Sequence, residues 1–219
     1  MELADVFNEV DEELRQEHYK KLWQKYGKYV VALAVVVVLG TAGSVGWKEY
    51  RIAARESESA RFVAAVQLLE SGDPAQGSAA LVSLAEDAGA GYRTLALLRQ
   101  AAALREAGDH SVAVSVYDRL VADGDVDQHL RDLARLLAAQ AMLELGTANE
   151  DVAQRLVPLL TDDNPWRHSA RELRGALALQ EGDIETATRE FTALSDDLTA
   201  PPGIRARAAE LLAAVRHEN

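Results

Sequence analysis

The sequence predicts an all-α protein in which a single N-terminal transmembrane helix is followed by an α-solenoid of about four helical hairpins and a capping helix. Three observations support this fold class. An uncharged stretch of 19 residues lies near the N-terminus, and the chain after it is rich in Ala and Leu. In that later part a glycine-centred pattern returns at intervals of 36, 38 and 36 residues. A repeat of this length is typical of stacked helical hairpins.

The uncharged stretch, residues 29–47, lies between Lys28 and Lys48 and consists largely of Val, Leu, Ala and Gly. At a rise of about 1.5 Å per residue, a helix of this length spans the roughly 30 Å hydrocarbon core of a bilayer. A buried strand has only about four to eight residues, and the apolar run of a cleaved signal has about 7 to 15. Aromatic residues suited to lipid headgroups flank the stretch: Trp23, Tyr26, Tyr29, Trp47 and Tyr50. We therefore predict one membrane-spanning helix, surrounded by a lipid bilayer.

Small residues recur four positions apart within this stretch. Gly40 and Ser44 form one pair, and Ala42 and Gly46 form another. Such pairs allow helices to approach closely in lipid, where packing replaces the hydrophobic effect. Small residues are also simply tolerated in membrane helices. The four residues are candidates for packing against a second membrane helix.

Residues 1–28 form a predicted amphipathic juxtamembrane segment with seven acidic and five basic residues. Its apolar residues have helical spacing: Leu3, Val6, Phe7, Val10 and Leu14. In windows of equal length, five basic residues precede the span and four follow it. Positive residues favour the cytoplasmic side, which predicts a cytoplasmic N-terminus and places residues 48–219 outside the cytoplasm. Whether the segment docks a cytoplasmic partner stays open at this point.

The overall charge limits the partners of the chain. The formal net charge is −12, and residues 29–219 hold 28 acidic and 18 basic residues, a net charge of −10. Nucleic acid is an unsuitable partner, because binding it requires a basic face. The chain has no cysteine, which excludes disulfides and thiolate chemistry.

The repeat is defined by four glycines, which we number as position zero of each copy: Gly72, Gly108, Gly146 and Gly182. Position −7 is always small: Ala65, Ala101, Ala139 and Gly175. Three copies share further small or large residues at positions +5, +9 and +12: Gly77, Leu81 and Leu84; Ala113, Tyr117 and Leu120; Ala187, Phe191 and Leu194. Two inserted residues after Gly146 would give Ala153, Val157 and Leu160 the same roles.

This pattern has a physical interpretation as a helical hairpin. The glycine ends a first helix in the left-handed conformation, and the Asp that follows it in three copies caps the second helix. The small residues let the two helices pack closely, and the larger ones fill the groove between them. Turn residues separate the hairpins, and a last helix over Ile204–Val215 is predicted to cap the stack.

The spacing of Gly, Ala, aromatic residue and Leu resembles the tetratricopeptide repeat, whose period is about 34 residues. The early Trp of that family is missing from every copy, and generic helical hairpins are the alternative. The order of parts is similar to the bacterial ancillary subunits of the SecYEG translocon, the YfgM-like family. The residues that carry this resemblance are Phe7, Glu9, Val10, Asp11 and Glu12, and the run Lys-Leu-Trp-Gln-Lys-Tyr-Gly-Lys at 21–28.

The resemblance implies a bacterial inner-membrane protein with a periplasmic repeat domain. It further implies association with the SecYEG translocon and with a membrane-anchored periplasmic chaperone of the prolyl-isomerase type. The implied function is to assist the hand-over of translocated proteins to that chaperone. A scaffold of envelope assembly or cell division is the alternative, and the oligomeric state is open.

The sequence predicts no enzymatic activity, no cofactor and no metal site. The five histidines are scattered without metal-ligand spacing, and nucleotide-binding and hydrolase motifs are missing. His110 and His168 are expected to be exposed polar residues.

Instead, the first helices of the hairpins are expected to form a concave surface that binds a segment of another protein. Arginines on these helices are the candidates for a basic groove: Arg61, Arg93, Arg99, Arg131, Arg135, Arg171 and Arg174. Each of them could equally be an ordinary solvated side chain.

Overall fold

A computed structural model describes the backbone of residues 3–146 and 150–217, and their side chains except 3–19, 21, 22, 30, 216 and 217. Within these residues the chain is helical, without strands. The helices are α1 (Leu3–Glu70), α2 (Pro74–Asp87), α3 (Ala90–Glu106), α4 (His110–Ala122), α5 (Gln128–Glu144), α6 (Glu150–Leu156), α7 (Arg167–Gln180), α8 (Ile184–Asp196) and α9 (Pro202–His217). A 3-10 turn, Val157–Leu159, extends α6. The predicted apolar stripe of residues 1–28 lies outside the described side chains.

The chain divides into two compact units, Met1–Glu56 and Ser57–Asn219. In the first unit, α1 contains the predicted span and is long and apolar enough to cross a membrane. Its apolar side chains are exposed, for example Leu39 at 67%. The hydroxyl of Thr41 donates to the carbonyl of Val37 (2.7 Å), and that of Ser44 to the carbonyl of Thr41 (2.8 Å). Both hydroxyls therefore satisfy their hydrogen bonds within the helix, as lipid requires.

The second unit consists of hairpins that turn at the predicted glycines. Their φ angles are all positive, from +72° at Gly146 to +95° at Gly72. In the copies of Gly72, Gly108 and Gly182, the residue after the glycine bonds back into the first helix, as when the N–H of Asp183 donates to the carbonyl of Ala178 at 2.8 Å. This is the hydrogen-bond pattern of a glycine-terminated helix. The prediction that glycines end the first helices is confirmed.

The predicted caps of the second helices are confirmed in two of three copies. The carboxylate of Asp73 accepts the N–H of Gln76 at 3.1 Å, and that of Asp183 accepts the N–H of Thr186 at 3.0 Å. Asp109 occupies the same position before α4, but its side chain makes no capping hydrogen bond.

Within each hairpin, the small residue at −7 lies against the large residues of the second helix. All the predicted residues at −7, +5, +9 and +12 are buried in the copies of Gly72, Gly108 and Gly182. In the last hairpin, a Cβ on Gly175 would lie 2.6 Å from Phe191. The repeat pattern therefore records direct packing between paired helices.

The copy at Gly146 departs from the prediction by one residue. Val152, Leu156 and Leu159 are fully buried, whereas Val157 is 62% exposed. One inserted residue, and not two, aligns this copy with the others. The spacing within the copy is unchanged, since Val152, Leu156 and Leu159 are four and three residues apart as in the other copies. The shift of one residue therefore arises between Gly146 and Val152.

Successive helices from α2 to α9 pack on one another, and α7 also contacts α5 and α9. The core forms three clusters of buried residues along the stack. The capping helix α9 begins two residues earlier than predicted, at Pro202, because proline suits the first position of a helix. The architecture is thus a helical solenoid closed by α9.

Candidate interaction groove

An open groove of about 500 Å³ lies among α5, α7 and α9. Its lining alternates apolar and polar side chains: Leu136, Gln140, Ser169, Glu172, Leu173, Ala176, Arg207 and Leu211. α5 and α7 are first helices of their hairpins, and α9 follows them as the last helix of the stack. We call this surface the α5–α7–α9 groove.

A buried polar network fixes the beginning of α7 against α5. Asp132 on α5 is 5% exposed, and its carboxylate accepts hydrogen bonds from Arg135 (2.7 Å) and from the amide of Asn164 (3.0 Å). Asn164 in turn accepts the N–H of Trp166 at 2.9 Å, and the Trp166 indole donates to the carbonyl of His129 at 3.0 Å. A buried carboxylate is stable only when it is paired and hydrogen-bonded. The loop before α7 is therefore held to α5 at one position.

Two further contacts hold the other parts of the groove. The amide of Gln180, at the end of α7, donates to the carbonyl of Leu143 on α5 at 3.0 Å. Arg207 on α9 forms a bidentate pair with Glu172 on α7, with N···O distances of 2.7 and 2.9 Å. Donation of these hydrogen bonds to Glu172 raises the pKa of Arg207 above its usual value. The groove is thus preformed by contacts at both ends of α7 and across to α9.

The lining residues share a few positions of the repeat register. Leu136 and Glu172 both lie at −10, and Gln140 and Ala176 both lie at −6. In the first two hairpins, position −10 is occupied by apolar residues, Phe62 and Leu98. Counting first-helix positions from the glycine therefore accounts for the shared positions on α5 and α7, since one register position faces one direction on every first helix. It does not account for Arg207 and Leu211, which lie on α9.

None of the seven arginines predicted to form a basic groove lines this one. All seven lie on first helices, α1, α3, α5 or α7. Arg93 and Arg131, both at −15, bind the loops before their helices through the carbonyls of Ala88 (3.4 Å) and Val126 (2.7 Å). Arg99 lies 3.5 Å from a glutamate carboxylate on its own helix.

The remaining four arginines form ion pairs within the domain. Arg61 lies 3.0 Å from the Asp87 carboxylate, and Arg135 binds Asp132 as described above. Arg171 and Arg174 are brought together by the carboxylate of Glu190 on α8. Their role in partner binding stays a prediction, but only this last pair converges on one place. The groove arginine, Arg207, lies on the capping helix and was missed.

The small residues of the predicted span are all exposed on α1. A Cβ on Gly40 or Gly46 would meet no heavy atom within 4 Å. Packing within the described part of the chain therefore does not explain these glycines. The role of Gly40, Ala42, Ser44 and Gly46 in contacts between membrane helices stays a prediction.

The expectation that His110 and His168 are exposed is wrong. His168 is 6% exposed, and its Nε2 lies 3.0 Å from Asp197, which follows α8. His110 is half-buried, with Nδ1 3.2 Å from the Glu144 carboxylate. The His168 ring thus links α7 to the residue after α8, whereas His110 lies beside Glu144 on α5 with its buried Nδ1 lacking a hydrogen-bond partner among the described residues. Among the described residues, no group of three or more His, Asp or Glu side chains could hold a metal ion.

The family model of the tetratricopeptide repeat-like domain matches residues 20–209. No curated protein and no solved structure matches the chain. Domains of this fold are typically non-catalytic scaffolds that bind other proteins. The match covers most of the chain and includes every hairpin described above, so the chain belongs to the tetratricopeptide repeat-like family.

Proposed function

We propose that this protein is a membrane-anchored scaffold that binds a segment of another protein in the α5–α7–α9 groove. The observation that carries this proposal is the preformed groove itself, lined by residues from three helices and held by Asp132–Asn164, Gln180–Leu143 and Glu172–Arg207 contacts. A rigid surface loses little conformational entropy on binding.

The lining indicates what kind of segment the groove would accept. Leu136, Leu173 and Leu211 offer apolar contact, while Gln140 and Ser169 offer hydrogen-bonding groups beside them. A peptide segment with apolar side chains on one face fits such a surface, because the apolar groups supply affinity and the polar groups fix its position. The groove is open along its length, which suits an extended or helical ligand.

We further propose that the partners are the SecYEG translocon and a membrane-anchored periplasmic chaperone of the prolyl-isomerase type. The chain would cross the bacterial inner membrane once, with residues 1–28 in the cytoplasm, 29–47 in the membrane and 48–219 in the periplasm. The resemblance in residues 1–28 and the apolar helix support this proposal. A scaffold of envelope assembly or cell division is the second candidate, which the same helix and repeats would equally serve.

Two-point attachment follows if the membrane helix and the repeat domain contact the same assembly. Linking two weak contacts raises the effective concentration of the second, so the full chain would bind more tightly than either part. Gly40, Ala42, Ser44 and Gly46 are the proposed contacts in the membrane.

The test is site-specific photocrosslinking from the full-length chain in native membranes. A photoreactive amino acid replaces Ala176 in the groove, and the matched control replaces Val112, which is 49% exposed on the second helix α4. Crosslinks to translocon and chaperone subunits from Ala176 alone would support the proposal. Crosslinks to envelope-assembly proteins would favour the second candidate, and equal products from both positions would refute groove binding.

A further inference from the structure

The last hairpin carries three arginines around one buried carboxylate, outside the α5–α7–α9 groove. Glu190 on α8 is 3% exposed. Its carboxylate lies 2.7 Å from Arg174 and 3.7 Å from Arg171, both on α7, and 3.5 Å from Arg189 on α8. We call these four residues the Glu190 cluster.

Most hydrogen-bond donors of the cluster remain unused. Only Arg174 donates to the carboxylate with good geometry, through Nη2, since the other two contacts exceed the usual N–H···O range of about 2.7 to 3.2 Å. The Nε of Arg174 is buried without an acceptor, and Arg171 makes no hydrogen bond to any residue that the structure describes. A guanidinium carries five donors in a planar fork. Arg189 also donates to the hydroxyl of Thr186 at 3.1 Å. The other exposed donors face solvent and are available to a ligand, and the Nε of Arg174 is the one buried donor of the cluster that lacks an acceptor among the described residues.

The charges of the cluster are separated by depth. The side chains of Arg171, Arg174 and Arg189 are 30%, 36% and 60% exposed, whereas that of Glu190 is only 4% exposed. The negative charge is buried and the positive charges face solvent. This surface therefore presents an excess of positive charge in a part of the chain with a net charge of −10. The groove shows no such excess at its arginine, because Arg207 is paired one to one with the carboxylate of Glu172.

The repeat fold itself does not require the cluster. Glu190 occupies position +8, where the first two hairpins have Ala80 and Val116, and Val116 is 5% exposed in the core. An apolar residue therefore completes the packing at this position. Replacing a buried ion pair by apolar residues is often neutral or stabilising, so stability alone does not account for the charged version.

We propose that the Glu190 cluster docks an acidic segment of a partner protein, as a second contact surface distinct from the groove. The arginines would bind its carboxylates, and the planar guanidinium is suited to bidentate contact with a carboxylate. The buried carboxylate of Glu190 holds Arg174 in place by a 2.7 Å hydrogen bond, which orients the cluster before the ligand arrives. Acidic partners are otherwise repelled by the net charge of this domain, so the cluster also confers selectivity.

The test uses the full-length chain in nanodiscs of phosphatidylcholine and two fluorescein-labelled peptides. One peptide alternates Glu and Ser, and the other has Gln in place of each Glu. Fluorescence anisotropy measures the Kd at low and high salt. We expect binding of the acidic peptide only, with an affinity that falls as salt rises.

The double variant Arg171→Gln/Arg189→Gln should raise the Kd for the acidic peptide about tenfold, since each lost charge-assisted contact raises the Kd severalfold. The charge-matched control Arg99→Gln/Arg119→Gln alters arginines outside the cluster and should change the Kd by less than about twofold. Ala176→Trp, which obstructs the groove, should leave this binding unchanged, so that failure of the groove and failure of the cluster are distinguished.

The variant Glu190→Gln distinguishes the proposal from a purely structural role of the cluster, because only the proposal predicts tighter binding of the acidic peptide. The amide oxygen of Gln can still accept the hydrogen bond from Arg174, so the orientation of the cluster is kept. Removing the buried negative charge raises the positive potential of the surface, so the acidic peptide should bind more tightly, by about threefold. The single variant Arg189→Gln, at the most exposed position, should raise the Kd for the acidic peptide about threefold and leave the melting temperature of the protein unchanged. Equal binding of the Gln peptide, no binding of either peptide, an equal loss in the control, or weaker binding by Glu190→Gln would overturn the proposal.

Discussion

Replacement of Gly175 by Ala tests the packing between the paired helices of the last hairpin. The added Cβ would lie 2.6 Å from Cε1 and 2.8 Å from Cζ of Phe191. Carbon atoms in contact are normally about 3.5 to 4.0 Å apart, so the ring or the helix must move by about 1 Å. Phe191 is fully buried among the residues of the third core cluster, so the ring has no open space to enter. The substitution therefore forces the two helices apart.

Two opposing contributions set the change in the free energy of unfolding caused by Gly175→Ala. Overpacking of a filled core costs about 1 to 3 kcal/mol, whereas Ala is more favourable than Gly inside a helix by about 1 kcal/mol. Because the ring is enclosed, we expect the upper part of the first range and a net destabilisation of about 1 to 2 kcal/mol. For a unit of this size, that lowers the melting temperature by roughly 2 to 8 °C.

The measurement is thermal and urea unfolding of the full-length chain in detergent, followed by circular dichroism. Gly91→Ala is the control, because its Cβ would meet no heavy atom within 4 Å in α3. The double variant with Phe191→Leu should show a smaller cost of Gly175→Ala, since the shorter side chain relieves the contact. If Gly175→Ala is as stable as Gly91→Ala, or costs the same beside Leu as beside Phe, the packing argument is wrong.

Three other predictions concern the turns, the acid range and the topology. Gly182→Val, at φ +75°, should destabilise the domain by more than about 1 kcal/mol, because left-handed backbone is unfavourable for residues with a Cβ; an unchanged urea midpoint would contradict this. Hydrogen bonds from Thr199 are the main cause that lowers the pKa of Asp197 to about 2. This group therefore contributes stability that is present above its unfolded pKa of about 3.9 and is lost as the pH falls through about 2. Asp197→Asn should therefore unfold more easily than the parent at about pH 5, and the difference should disappear below about pH 2. A periplasm-active reporter fused after the last residue should be active, whereas activity of a cytoplasm-only reporter there would reverse the proposed orientation.

The turns and the hairpin packing could be predicted from the sequence because they depend on local requirements. A left-handed residue after a helix favours glycine, and Gly72, Gly108, Gly146 and Gly182 all adopt positive φ. Close packing requires a small residue at a fixed distance from the turn, which Gly175 illustrates. The phase of the copy at Gly146 could not be predicted to the residue, because this glycine lacks the following Asp of the other copies and the number of inserted residues before Val152 has no clear sequence signal.

The partners of individual side chains could not be predicted in the same way. Arg135 and Arg171 both lie at position −11 of equivalent helices, yet one binds Asp132 on its own helix and the other faces Glu190 on α8. The difference depends on which residue lies across the helix interface, and this is a property of three-dimensional packing. Asp132 and Asn164 are 32 residues apart in the sequence, and nothing in their surroundings indicates that they form one buried network.

The three core clusters are not independent, because helices α5 and α7 each belong to two of them. On α5, Ala134 and Ala138 are part of the first cluster, and Leu136 and Leu143 are part of the second. Unfolding of either neighbour would therefore expose half of α5, which makes local opening cooperative across the junction. Opening should begin at the ends of the stack, where α9 has only one side covered by the described chain. A ligand that touches α5, α7 and α9 together would suppress fraying of this end, and its amide protons would then exchange more slowly with solvent.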